Sequence, residues 1–272
     1  PARWAYALTS RKNVFLQGFG YRKTRPDPEK VKKLLLDGVR QGLGADYDVD
    51  THFTPSYNPW DQRLCLLPDG DLYRSIRSGH ASVVTDQIET LTETGIRLQS
   101  GEELEADLII TATGLNLVTL GEMDFAVDGS RVDFARTWVY RGLAYSDVPN
   151  LVSTFGYVNA SWTLKADLTS EYVCRLLNHM KKRGYTRCTP RLRSEDAGMP
   201  ERPWIDNFPA GYMKRSMHLL PHQSDREPWL NTQNYARDVK LIRKTAIDDG
   251  VMTFDAPDQS GSAKAVQVVA DG

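Results

Sequence analysis

Ala106-Asp107-Leu108-Ile109-Ile110-Thr111-Ala112-Thr113-Gly114-Leu115 is the stretch that decides how this chain reads. An unbroken apolar run this short has the composition of a strand buried on both faces, as in a parallel sheet. Its end in small residues and a glycine lets another backbone, or a bound group, come close. Upstream, short strands are predicted over residues 81–85 and 88–93. The second turns at Thr94-Gly95 onto 96–99, and Ser100-Gly101 turns again. Downstream, Val148-Pro149-Asn150 reads as a turn before a strand over 151–155. The pattern is α/β.

The helices carry clear start and stop signals. Asp27-Pro28-Glu29 opens one: Asp caps, Pro suits the first turn, and Glu favours the positive end of the dipole. Val31, Leu34, Leu35 and Val39 supply its apolar stripe, and Gly42 or Gly44 ends it. The best helix runs over 161–183. Asn159 or Ser161 can cap it, and Leu164, Leu168, Tyr172, Leu176 and Met180 share a face. Lys181, Lys182 and Arg183 sit at its negative end before Gly184. Short helices are predicted over 71–78 and 233–243, and a partly helical segment over 1–25. Residues 50–64 and 185–228 read as loops, and 66–70 as a turn. The small, polar tail, 255–272, reads as disordered.

With 272 residues, 40% hydrophobic and 25% charged, the chain has the make-up of a globular protein with room for one large domain or two small ones. A net charge of −1 gives no reason to expect nucleic acid. No apolar run approaches the roughly 20 residues that span a bilayer, and no signal-peptide pattern opens the chain. Cys65, Cys174 and Cys188 are widely spaced and odd in number, which argues for reduced thiols in the cytoplasm, each a small buried apolar residue. The five histidines lack metal-ligand spacing, so no metal is expected. The aromatic and basic residues of 1–25 read as a helix awaiting a core partner, with a peripheral membrane contact as the sharper alternative.

No G-x-G-x-x-G follows a strand anywhere. The nearest candidate, Gly42-Leu43-Gly44, lacks the third glycine and follows a helical pattern. The turn that seats a pyrophosphate on a helix N-terminus is therefore missing.

Two further stretches complete the reading. Asn58-Pro59-Trp60-Asp61-Gln62-Arg63 lies upstream of the apolar run, and Phe155-Gly156-Tyr157-Val158-Asn159-Ala160-Ser161-Trp162-Thr163 downstream. Taken in order, the three resemble the C-terminal part of the flavin-dependent monooxygenases, and most closely the Baeyer–Villiger group that includes the ethionamide-activating monooxygenases. The likeness covers about 47–249. It implies the C-terminal halves of two dinucleotide-binding, Rossmann-like domains with a helical insertion, truncated at the N-terminus. The implied divisions are a helical segment, 1–56; the second half of an NADPH domain, 57–116; the second half of an FAD domain, 117–254; and the tail. FAD and NADPH are the implied cofactors. A flavin peroxide would insert oxygen beside a ketone carbonyl, or oxidise a soft sulfur (thioether or thioamide) or nitrogen. The missing N-terminal half would be a necessary partner.

The resemblance also implies roles for particular residues. Arg63 matches an arginine beside flavin and nicotinamide, where a permanently charged guanidinium stabilises negative charge developing during oxygenation. Read alone, an arginine after a proline-kinked loop is a solvated or ion-paired surface residue. Trp60 and Asp61 are its supports, or else a packed indole and a turn carboxylate. Thr113 and Gly114 end the strand where backbone approaches cofactor. Asn159, Ser161, Trp162, Thr163 and Leu164 open the long helix at the isoalloxazine, whose reduced form carries negative charge that free N–H groups favour. Without the resemblance, they are an ordinary cap. Trp229 and residues 231–235 are a lid over NADP, or core packing. Three other readings stay open: an N-hydroxylase, a disulfide reductase (against which the lack of C-x-x-C tells), and a non-catalytic remnant.

Overall fold

A computed structural model describes residues 2–65, 67–206, 208–257 and 267–269. The chain divides into two compact units: Phe19–Leu115, and Asn116–Gly272 together with Pro1–Gly18. Helix α1 (Ala2–Thr24) runs across that division.

In the Phe19–Leu115 unit, α2 (Pro28–Leu43) forms as its signals dictate. The Asp27 carboxylate accepts the Lys30 N–H at 3.1 Å, and Gly44 at φ 103° releases the chain. Next comes α3 (Val49–Phe53), capped by Asp48 through the Thr51 N–H at 3.0 Å. The predicted loop over 50–64 therefore begins inside a helix, because Asp48 supplies a cap that no apolar periodicity announces. Helix α4 (Asp71–Arg77) follows. Strands β1 (Ile88–Leu91), β2 (Gly95–Leu98) and β3 (Glu103–Glu105) then form an antiparallel sheet in that order. A side chain on Gly95 would meet the Leu104 carbonyl oxygen at 1.9 Å, so only glycine lets β2 and β3 pair there.

The expected strand over 108–113 does not form. Residues 106–115 belong to no strand, and Leu108 and Ile110 are 77% and 81% exposed. A strand is completed by its neighbours: without a ladder to satisfy its backbone, β-branched composition cannot hold it. The strand expected over 81–85 is likewise irregular.

In the other unit, β4 (Asp124–Val127) turns through Asp128-Gly129, both at positive φ, onto β5 (Ser130–Arg131). On its far side β4 pairs with β10 (Gln267–Val269), so part of the tail expected to be disordered is a strand. Residues 258–266 and 270–272 lie outside the described residues. The hairpin of β6 (Val139–Tyr140) and β7 (Ala144–Tyr145) leads to an irregular segment over 151–155, where a strand was expected. Then comes α5 (Trp162–Arg183), closed by Gly184 at φ 71°. The region 185–228 is more regular than its proline and arginine content suggests. It contains β8 (Arg187–Pro190), paired antiparallel with the later β9 (Met252–Asp255), and α6 (Gly211–Ser216). Helix α7 (Tyr235–Lys244) is capped by Asn234 through the Arg237 N–H. Every strand ladder among the described residues is antiparallel.

The main core forms on one face of α5. Leu168, Tyr172, Leu176 and Met180 pack with Tyr140, Leu143, Trp229, Ile242 and Met252. A second cluster joins Val139, Trp204, Phe208, Met213 and Leu220. Cys188 is buried as expected, whereas Cys65 and Cys174 are exposed free thiols.

Two predictions follow from this packing. Leu168→Ala or Leu176→Ala should each cost about 2–5 kcal/mol of unfolding free energy in denaturant titrations, because each removes a buried side chain from a closed core. Asp196 gives a pH signature. Arg193 grips its carboxylate through two guanidinium bonds of 3.0 Å and a backbone N–H at 2.9 Å. The guanidinium thereby holds the Asp196 pKa down to about 2. A depressed folded-state pKa contributes stability above the unfolded value, near 3.8, and loses it as pH falls toward 2. The stability difference between the native chain and Asp196→Asn should therefore shrink by about 2 kcal/mol between pH 5 and pH 2.

Candidate functional site at the start of the long helix

The start of α5 is exposed and carries no side-chain cap. Ser161 occupies the N-cap position with extended backbone, yet its side chain makes no cap bond; its hydroxyl pairs instead with Thr163 Oγ1 at 2.8 Å. Asn159 does not cap the helix either, since its amide donates to the Gln233 carbonyl at 3.4 Å. The expected capping is thus replaced by bonds elsewhere. No acidic residue lies in the first turn, so the N–H groups at this helix start keep their positive character. Ser161, Trp162 and Thr163 are exposed, and Leu164 is half-buried.

The turn before the helix is built tightly. The Trp162 ring lies on Gly156, where any Cβ would come within 2.1 Å of it, and against Phe155 at 5.0 Å between centroids. Phe155 in turn meets buried Trp204 at 4.3 Å. The Val158 N–H donates to Gln233 Oε1 at 2.9 Å. Tyr157 is almost wholly buried and donates its hydroxyl to Asp238 Oδ2 at 2.7 Å; burial, and then the nearby carboxylate, push its pKa far above the usual phenol range. Lys165, the first buried residue of α5, donates to the same oxygen at 2.8 Å, and Thr232 donates to Oδ1.

Sequence reading missed this support. One signal was present: Lys165 shares the helical stripe of Leu168, Tyr172 and Leu176, and a lysine on a buried stripe requires a buried partner. Trp229 and Asn231, candidates for a lid, are core residues. Trp229 is fully buried, and the Asn231 amide donates to the Trp204 carbonyl at 3.1 Å.

The remaining candidates lie in the Phe19–Leu115 unit. Asn58-Pro59-Trp60-Asp61 is a turn closed by the Asp61 N–H on the Asn58 carbonyl at 3.0 Å. Trp60 sits at φ 69°, a strained conformation for a bulky residue. Trp60 rests edge-on to Tyr21 at 5.5 Å, and Asp61 pairs with Arg25 at 3.2 Å. Arg63 is exposed. Thr113 and Gly114 are exposed as well. Gly114 adopts φ 116°, which excludes an ordinary side chain, with open space around it. A shallow cleft of about 560 Å³ beside α4 is lined by Asp71, Arg74, Ser75, Arg77 and Ser78 and contains none of these candidates. Among the described residues no group of three or more His, Cys, Asp or Glu is arranged to hold a metal ion, and no helix is long and apolar enough to cross a membrane.

No protein-family model matches the chain. Individual relatives do. The chain is 49% identical over 254 residues to the FAD-containing monooxygenase EthA of Mycobacterium tuberculosis, covering 93% of this chain and 51% of the relative. EthA of Mycolicibacterium smegmatis is 44% identical over 254 residues, with 93% and 51% covered. A protein of Acinetobacter baylyi named "Probable FAD-binding monooxygenase AlmA" is 44% identical over 255 residues, with 94% and 51% covered. The chain spans about half the length of these curated relatives. Along 93% of its length the chain is thus similar to about half of an FAD-containing monooxygenase.

Proposed function

We propose that this chain is the C-terminal half of an FAD- and NADPH-dependent monooxygenase that inserts oxygen beside ketone carbonyls or oxidises thioether, thioamide or amine centres. The observation that carries the reading is the 49% identity along 93% of the chain to a protein named for its FAD. The proposal extends to its fold and setting. Residues 57–116 and 117–254 would be the second halves of an NADPH domain and an FAD domain, each completed by an N-terminal half, in the cytoplasm, with α1 awaiting a core partner or, as the alternative, touching a membrane surface.

The residues present suit a flavin. An uncapped helix start without a first-turn acid is a place for a diffuse negative charge, and the reduced isoalloxazine carries one. When bound, FAD reduced by NADPH supplies the activation of molecular oxygen. The chain's own residues supply placement and charge. The first N–H groups of α5, at Trp162 and Thr163, would hold the anionic edge of a flavin, with Asn159, Ser161 and Leu164 shaping the approach. Thr113 and Gly114 let backbone come close to a nucleotide. Arg63 would provide a fixed positive charge that favours negative charge developing on the reacting atoms. The exposed apolar residues Leu108 and Ile110 fit the same reading: they have the composition of an interior strand and await one.

Two experiments test this reading. The isolated chain should take up no FAD at low-micromolar concentration and oxidise no NADPH, because both pyrophosphate-seating turns are missing. Both abilities should appear when the N-terminal half of a relative such as EthA is supplied. A stoichiometric FAD complex of the isolated, monodisperse chain would overturn the division of the site. In the reconstituted protein, Arg63→Ala should fold and bind FAD while losing product formation by roughly 10²-fold, the scale for deleting one preorganised electrostatic group. Unchanged turnover would return Arg63 to an ordinary surface role.

A further inference from the structure

Asp238 lies in the first turn of α7, 2% exposed, and receives donors from both ends of one segment. Its Oδ2 accepts the Tyr157 hydroxyl at 2.7 Å and the Lys165 ammonium at 2.8 Å. Its Oδ1 accepts the Thr232 hydroxyl. Lys165 also reaches the Arg141 carbonyl at 3.3 Å. Between Tyr157 and Lys165 lie residues 158–164, which include Asn159, Ser161, Trp162, Thr163 and Leu164. Within that span, Gln233 takes the Val158 N–H on its side chain and the Asn159 amide on its carbonyl. Gln233 holds this position at φ 46°, a conformation a glutamine rarely adopts.

We propose that Asp238 is a positioning residue for the flavin: a single carboxylate oxygen fixes both ends of 158–164 and so sets where the N–H groups of the α5 start point. The proposal rests on the preceding reading, in which that helix start faces the isoalloxazine. Simple cohesion would not need such a device. A buried ion pair can be exchanged for apolar side chains of similar volume at little cost in stability. What apolar packing cannot supply is direction, since only a hydrogen-bond acceptor holds two donors to a defined distance. Lys165 places a positive charge in the early part of a helix, where the dipole disfavours it. Its pairing with Asp238 balances that charge from α7, and α5 needs no acid in its own first turn to do so. The open N–H groups thereby stay available to an anionic ring.

Backbone amide exchange on the full chain tests the proposal without any flavin. Tyr157→Phe removes one donor and buries no unpaired charge. Asp238→Leu combined with Lys165→Met removes both charges together at similar volume, so the core still closes. In both variants, exchange at 158–164 should quicken by tenfold or more, while 168–180 of α5 stays as protected as in the native chain. Unchanged exchange at 158–164 in the folded double variant overturns the proposal. So does equal acceleration along the whole helix, which marks general loosening.

The second readout is FAD titration of the protein reconstituted with a relative's N-terminal half. The double variant should bind FAD at least tenfold more weakly and shift its visible absorption band. Native affinity and spectrum despite a loosened segment would overturn the link to flavin. Failure of the underlying reading is separately visible, because then the unsubstituted reconstituted protein takes up no flavin.

Discussion

A lysine ammonium with its side chain 2% exposed, facing an aspartate 3% exposed, is the constraint around which the Asn116–Gly272 unit is arranged. Taking two charges out of water is costly, and the cost is recovered only when geometry and additional hydrogen bonds satisfy both groups. Here the extra bonds come from Tyr157, Thr232 and the Arg141 carbonyl, contributed by three separate stretches of chain. Arg141 adds a second, partly buried ion pair, with Asp249 at 2.7 Å, and its backbone takes φ 52° in the turn between β6 and β7. The two pairs are joined through one residue. The hairpin, the start of α5, the segment before α7 and the loop after it are thus held by one connected polar core, set beside the apolar face of α5.

The long helix was legible because everything that makes it lies within its own sequence: an apolar stripe at 168, 172, 176 and 180, basic residues in the last turn and a glycine after it. Helix α2 was legible for the same reason, with Asp27 and Pro28 at one end and Gly44 at the other. What escaped was whatever depends on partners far along the chain. Lys165 and Asp238 are 73 residues apart, and periodicity within α5 cannot say what a lysine on its buried face meets. Strand β8 is made by pairing with β9, more than sixty residues on, and so read as loop. The stretch 108–113 erred in the opposite direction: its composition is that of an interior strand, but no ladder among the described residues receives it.

The candidate site divides along the same line. Asn159, Ser161, Trp162, Thr163 and Leu164 were singled out as a consecutive group, and the structure keeps them together at one helix start. Of the residues that hold them, Tyr157 lies inside the quoted stretch 155–163 and Gln233 within 231–235, but neither was read as a support and nothing local marks Asp238, because holding is a matter of distance and burial. Arg63, Thr113 and Gly114 were chosen by likeness alone; they lie on exposed, irregular backbone whose geometry states no role by itself.

The seating of Trp162 on Gly156 has a practical consequence. An indole 48% open to water, pressed against Phe155 at the first turn of α5, emits as a partly hydrated chromophore, whereas Trp204 and Trp229 nearby are enclosed. An aromatic ring system arriving at that turn would meet this indole first and drain its excited state. The first turn of α5 thus carries an intrinsic fluorophore whose emission changes with whatever binds beside it.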